Sequence, residues 1–182
     1  MSRIGRKPIT IPSGVRIETK DGLIEVTGPK GKLSKRIPQG IKIRIEGSHL
    51  YVERESDEKK FKALHGLMRS LIASMVVGVT EGFSKSLDIV GVGYKAELSG
   101  KNTIRFSLGY SNPIEFSLPQ GISAVVEERG TRVLIQGIDK EIVGNIAAKI
   151  RGLRPPDSYK GKGIRYTGEM LKLKPGKAGI KK

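Results

Sequence analysis

Ten residues toward the C-terminal end, Pro155-Pro156-Asp157-Ser158-Tyr159-Lys160-Gly161-Lys162-Gly163-Ile164, bring together two adjacent prolines, one aromatic ring, two lysines and two glycines. Adjacent prolines cannot continue the helical pattern before them, so the chain leaves that helix as a stiff extended segment. Gly161 and Gly163 remove side chains where a second backbone could come close. Lys160 and Lys162 place cationic heads beside that bare main chain, which suits a phosphate-lined partner. Tyr159 offers a flat face to a base or ribose. A basic surface loop without a partner is the competing reading, because Lys and Gly are ordinary loop residues.

Other stretches with chemical potential fall away on inspection. Gly91-Val92-Gly93-Tyr94-Lys95-Ala96 fits the dinucleotide pattern G-x-G-x-x-A. That pattern needs a long helix starting inside it, and Ser99-Gly100-Lys101-Asn102 breaks the chain too soon, so a glycine-rich strand edge or bulge is expected. Gly176-Lys177-Ala178 lacks the leading glycine and the final Ser or Thr of a phosphate-binding loop. His49 and His65 have no acidic or histidine partner at ligand spacing, which argues against a metal. Glu127-Glu128 reads as a solvated turn. The sequence therefore points to no enzyme, no metal, no cofactor and no small-molecule substrate.

The charge balance points elsewhere. Thirty-four Lys and Arg face 18 Asp and Glu, for a formal net charge of +16. Residues 1–40 carry 9 basic and 3 acidic side chains, residues 41–148 carry 14 and 13, and residues 149–182 carry 11 and 2. A neutral middle with basic ends fits a polyanion contact, with nucleic acid the first candidate. The absence of cysteine excludes disulfides, thiolate zinc sites and cysteine nucleophiles, and fits a reducing compartment. No run approaches ~18 continuous apolar residues, so no membrane span is expected, and the start Met1-Ser2-Arg3-Ile4-Gly5-Arg6-Lys7 reads as a basic segment rather than a signal peptide.

Hydropathy patterning supplies the elements that hold these residues. Ile9, Ile11, Val15 and Ile17 alternate around Pro12-Ser13-Gly14. Leu23–Val26 and Leu33–Ile37 flank the turn Gly28-Pro29-Lys30-Gly31, and Ile41–Ile45 and Leu50–Val52 flank Gly47-Ser48. An antiparallel meander is expected. Phe61, Leu64, Leu67, Met68, Leu71, Ile72 and Met75 then recur at helical spacing, capped by Ser56-Asp57-Glu58 and ending by Gly78. The order repeats: Ile37-Pro38-Gln39-Gly40-Ile41 matches Leu118-Pro119-Gln120-Gly121-Ile122, Gly28 matches Gly109, and Arg69 matches Arg151, at a shift of about 81 to 82 residues. The second helix runs from Asp139 to a stop at Gly152. The fold class is α+β: two similar domains from an internal duplication, each an antiparallel sheet packed on one helix, spanning 1–81 and 82–171. A basic tail, 172–182, has too few apolar residues to pack and orders on nucleic acid.

Pro156-Asp157-Ser158-Tyr159-Lys160-Gly161-Lys162-Gly163-Ile164 closely resembles the signature of the bacterial-type large-subunit ribosomal protein six family. The starting segment through Pro8, Gly28–Gly31, Val79-Thr80-Glu81-Gly82-Phe83 and Gly91–Lys95 are similar to its other recurrent stretches. The resemblance runs almost end to end. It implies a structural constituent of the large ribosomal subunit in the cytoplasm, bound to large-subunit ribosomal RNA near the sarcin-ricin loop. The implied partners are that RNA, neighbouring large-subunit proteins and translational GTPases. Carried onto this chain, the RNA-binding candidates are Tyr159, Lys160, Gly161, Lys162, Gly163, Arg165 and Tyr166, with Lys172, Lys174 and Lys177 behind them. Ser158 stands where the family usually has proline, and Asn112 where histidine is frequent. The alternatives are a nucleotide-using enzyme built on Gly91–Ala96 and a basic DNA or RNA module outside the ribosome.

Overall fold

The computed structural model describes residues 3–100 and 102–176. Contacts divide the chain into two compact units: the residues up to Phe83 with Ile138–Lys140, and Ser84–Gly137 with Glu141 onward.

The first unit begins with β1 (Ile9–Thr10), β2 (Arg16–Lys20), β3 (Leu23–Gly28), β4 (Gly31–Arg36), β5 (Ile41–Glu46) and β6 (His49–Arg54). Asp21 and Gly22, at φ 51° and 70°, make the tight turn between β2 and β3. Positive φ at both central residues matches the right-handed twist of the strands it joins. The expected meander is instead two three-stranded antiparallel sheets, β2-β3-β4 and β1-β6-β5. β1 pairs across to β6, Ile9 facing Leu50. The Ile11 N–H extends that pairing to Ser48 O at 2.8 Å, and Pro12, which has no N–H, stops it.

Helix α1 (Lys59–Thr80) lays Met68, Ile72, Met75, Val76 and Val79 into one core with Ile24, Val26, Leu50 and Val52. Each such buried side chain contributes roughly 1.5–3 kcal/mol. By length and composition α1 is apolar enough to cross a membrane, but its apolar stripe is the floor of this core. Both its ends differ from expectation. Glu58 is the N-cap and makes no side-chain cap bond. Ser56 Oγ accepts the Glu58 N–H at 3.2 Å, and Asp57 is held by Arg54 Nη2 at 2.7 Å. At the other end the helix passes through Gly78, where a Cβ would lie 2.1 Å from Ile138 O within the same unit. Glycine there answers a packing demand, so it does not end the helix.

The second unit repeats the plan with β7 (Phe83–Val90), β8 (Lys95–Leu98), β9 (Thr103–Ser107), β10 (Ile114–Ser117), β11 (Ile122–Glu127), β12 (Arg132–Gly137) and α2 (Lys140–Leu153). Sheet β10-β9-β8 corresponds to β4-β3-β2, and β11-β12-β7 to β5-β6-β1. Val143, Ile146, Ala147 and Ile150 form the buried face of α2. The helix passes Gly152 by one residue before the two prolines divert the chain. A strand without counterpart in the first unit follows: β13 (Gly163–Tyr166) pairs antiparallel with β7, Gly163 facing Val90 and Ile164, fully buried, facing Ile89. Patterning did not reveal it, because four residues with one aliphatic side chain carry no period.

Candidate nucleic-acid interface

Between α2 and β13 the chain forms a turn organised by one carboxylate. Asp157 Oδ2 accepts the N–H groups of Tyr159 at 3.1 Å and Lys160 at 2.8 Å, so the aspartate mimics a further turn of backbone. The Lys160 amide is the largest influence on that carboxyl and, with those of Tyr159 and Ser158, holds its pKa below the usual value against the effect of burial. The loop closes on itself through Gly161 N–H to Asp157 O at 3.0 Å and Asp157 N–H to Lys162 O at 2.8 Å. Ile164 N–H donates to Arg154 O at 2.7 Å, covering the outer edge of β13. The main chain is thus satisfied internally, while the side chains are not. Tyr159 is 59% exposed. Lys160 and Lys162 are exposed, and neither amine has a hydrogen bond or ion pair among the described residues.

The glycines serve a different end from the one expected. Gly163 has φ 140°, and a Cβ there would lie 2.6 Å from Pro155 O and 2.8 Å from Arg154 O. The second backbone that requires a bare position is the chain's own. Gly161, at φ 67°, is buried, with Leu171 and Leu173 methyl groups 3.5 and 3.6 Å from where its Cβ would be. Lys174 N–H also donates to Ser158 O at 2.8 Å. The tail was expected not to pack, yet Leu173 and Lys174 at its start lie against the loop, with Leu171 just before the tail covering the same glycine. Lys172 and Lys174 are exposed, and the bond to Ser158 sets Lys174 against the loop; Lys177 lies outside the described residues.

Arg165 and Tyr166 sit on β13 rather than on the loop. Arg151 Cζ lies 5.7 Å and Lys85 Nζ 6.0 Å from the centre of the Tyr166 ring. Its N–H donates to Glu169 Oε2 at 3.0 Å. Glu169 receives a two-pronged contact from Arg151, at 2.6 and 3.1 Å, which pulls the Glu169 pKa down and the Arg151 pKa up. Arg165 stands opposite Asp88 and is half-buried, with its Nε buried and unbonded. Asp88 is already occupied by Arg132 Nε at 3.0 Å and the Thr167 hydroxyl at 2.8 Å. Glu128, expected to solvate a turn, also holds Arg132 at 2.5 Å.

Four neighbours escaped sequence reasoning. Val90 faces Gly163, so the turn Gly91–Tyr94 leaves the same end of the β7/β13 pair as the basic loop. Its tip, Val92, is 92% exposed. The Tyr94 ring fills the space above both Gly91 and Gly109, within 2.7 and 2.8 Å of their missing Cβ positions. This accounts for Gly91, while Gly93, at φ 76° with open space where a Cβ would lie, serves the turn that leads into strand β8. The Tyr110 hydroxyl donates to Leu153 O at 3.1 Å, and Arg154 lies 4.6 Å above the Tyr110 ring. The repeat offset of Gly28 and Gly109 was the available signal, since it sets Tyr110 beside the end of α2. Among the described residues no three His, Cys, Asp or Glu gather as a metal would require.

The fold and this constellation have relatives. The family profile described as Ribosomal protein L6 matches residues 11–82 and again 90–167. A protein of Thermodesulfovibrio yellowstonii is 58% identical over 181 residues, one of Acidobacterium capsulatum 54% and one of Crocosphaera subtropica 51%; in each case the match covers both chains in full. All three are named large ribosomal subunit protein uL6. The chain belongs to the ribosomal protein L6 family. Members of this family are structural ribosomal proteins rather than enzymes, and the twice-matched segment agrees with the repeat of sheet order.

Proposed function

We propose that the chain is a structural constituent of the large ribosomal subunit that binds large-subunit ribosomal RNA through the Asp157-organised loop and the tail covering it. One observation carries the reading. Two exposed lysines whose amines make no hydrogen bond or ion pair among the described residues, beside an exposed tyrosine, stand on a main chain whose own hydrogen bonds are already made. Such a surface meets phosphates with little ordering cost and reads RNA by shape. Lys172 and Lys174 extend it, Lys177 further along the sequence is proposed as another phosphate contact, and Arg165 on β13 is proposed with them. In this reading residues 1–81 and 82–171 are the two rigid bodies and 172–182 the basic extension. The resemblance of residues 156–164 to the family signature favours a position near the sarcin-ricin loop, where translational GTPases would be neighbours. Sucrose-gradient fractionation tests it: the protein is expected to stay with large subunits through moderate salt at one copy each. Recovery in the soluble pool or with DNA would overturn it.

A further inference from the structure

The first unit holds a second cationic segment, whose main chain is also pinned. The Arg69 guanidinium on α1 donates to two backbone carbonyls of the N-terminal segment, Lys7 O at 3.1 Å and Pro8 O at 3.3 Å. Gly5 is buried on the His65 ring, so close that a Cβ would lie 2.5 Å from Nδ1. His65 is itself fixed: Arg54 Nη1 lies 2.9 Å from its Nδ1 and Val52 O 2.8 Å from its Nε2. The Lys7 N–H closes a turn to Ile4 O at 3.2 Å. Four anchors therefore fasten residues 4–8 through main-chain atoms or a missing side chain. None uses the cations.

Arg3, Arg6 and Lys7 are all exposed. None of their side-chain cations makes a hydrogen bond or ion pair among the described residues, and Arg6 acts on Asp57 through its charge alone. Three cations in five residues with no acid between them suit a phosphate backbone better than a protein surface, where acidic partners would have to be placed one by one. We infer that Arg3, Arg6 and Lys7 form a second, pre-ordered RNA-backbone contact, on the unit that lacks the Asp157 loop. The inference rests on the RNA-binding reading above and adds a site to it.

The test uses the full chain and bacterial large-subunit ribosomal RNA, measuring affinity across a salt series. Arg3→Ala/Arg6→Ala/Lys7→Ala is expected to lower the slope of log affinity against log salt by about 2, with an unchanged thermal midpoint because no anchor is lost. Arg69→Gln keeps the three charges but frees their backbone, and is expected to weaken binding several-fold while leaving most of the slope. Lys160→Ala/Lys162→Ala is measured alongside. If that pair flattens the slope and the triple variant does not, the inference is overturned and the loop reading stands. The same holds if the triple variant loses its place on the subunit without losing RNA affinity, which would mark a protein contact. If the unaltered chain ignores the RNA, both fall.

Discussion

Two turns of nearly the same composition behave in opposite ways. Gly28-Pro29-Lys30-Gly31 joins β3 to β4, and its exposed lysine is engaged by the chain itself: the Lys30 N–H donates to Val79 O at 3.0 Å and its amine to Glu81 O. These carbonyls close the end of α1, where a helix presents unpaired acceptors and partial negative charge. Lys160-Gly161-Lys162-Gly163 is also built of lysine and glycine, yet its backbone is satisfied around Asp157 and its amines make no hydrogen bond or ion pair among the described residues. A glycine-flanked lysine is thus a cap or a contact depending on what the fold sets beside it. The second unit does cap α2 from the matching turn, but with the Tyr110 hydroxyl. That substitution leaves Arg154 stacked on Tyr110 at the margin of the basic loop.

The most disruptive way to probe this contrast is at Gly163. Alanine there would keep a φ of 140° that L-residues avoid and press on Pro155 O, and is expected to cost about 3 kcal/mol in denaturant unfolding. A cost near zero would mean the loop is not braced by its own chain. Tyr110→Phe removes the second unit's cap while keeping the ring under Arg154, with an expected loss of about 1 kcal/mol. A loss far below that would deny the parallel with Lys30.

Acid sharpens the comparison without substitution. The Asp157 pKa is lowered from 3.8, chiefly by the Lys160 amide. A depressed folded-state pKa gives stabilisation that is complete above the unfolded value and lost as pH falls through the folded one. The Tyr159 and Lys160 amide resonances are therefore expected to hold their positions down to about pH 4 and to shift together below it. The Lys30 turn contains no carboxylate in its bonding and is expected to show no such step. Movement of both turns in one step would point to global unfolding.

What patterning could and could not supply follows from the range of the interactions. α1 was legible because Phe61 to Met75 repeats over several turns, and the duplication because whole turns recur at one offset. β13 was not, since its identity depends on β7, about 75 positions earlier. The loop's composition marked Lys160 and Lys162 as candidates. Composition alone also fits Lys30, and only the carbonyls at the end of α1 separate them. Gly163 was singled out correctly as a close-approach glycine, but what approaches is Pro155.

The claim beneath the whole account is that free lysines touch RNA and engaged ones do not. It is tested most directly by the salt dependence of ribosomal RNA binding for Lys160→Ala/Lys162→Ala beside Lys30→Ala. The loop pair is expected to flatten the slope by about 1.5 and to leave stability within about 0.5 kcal/mol. Lys30→Ala is expected to leave the slope intact and to cost about 0.5 kcal/mol of folding. An unchanged slope for the loop pair, or an equal flattening by Lys30→Ala, would contradict it.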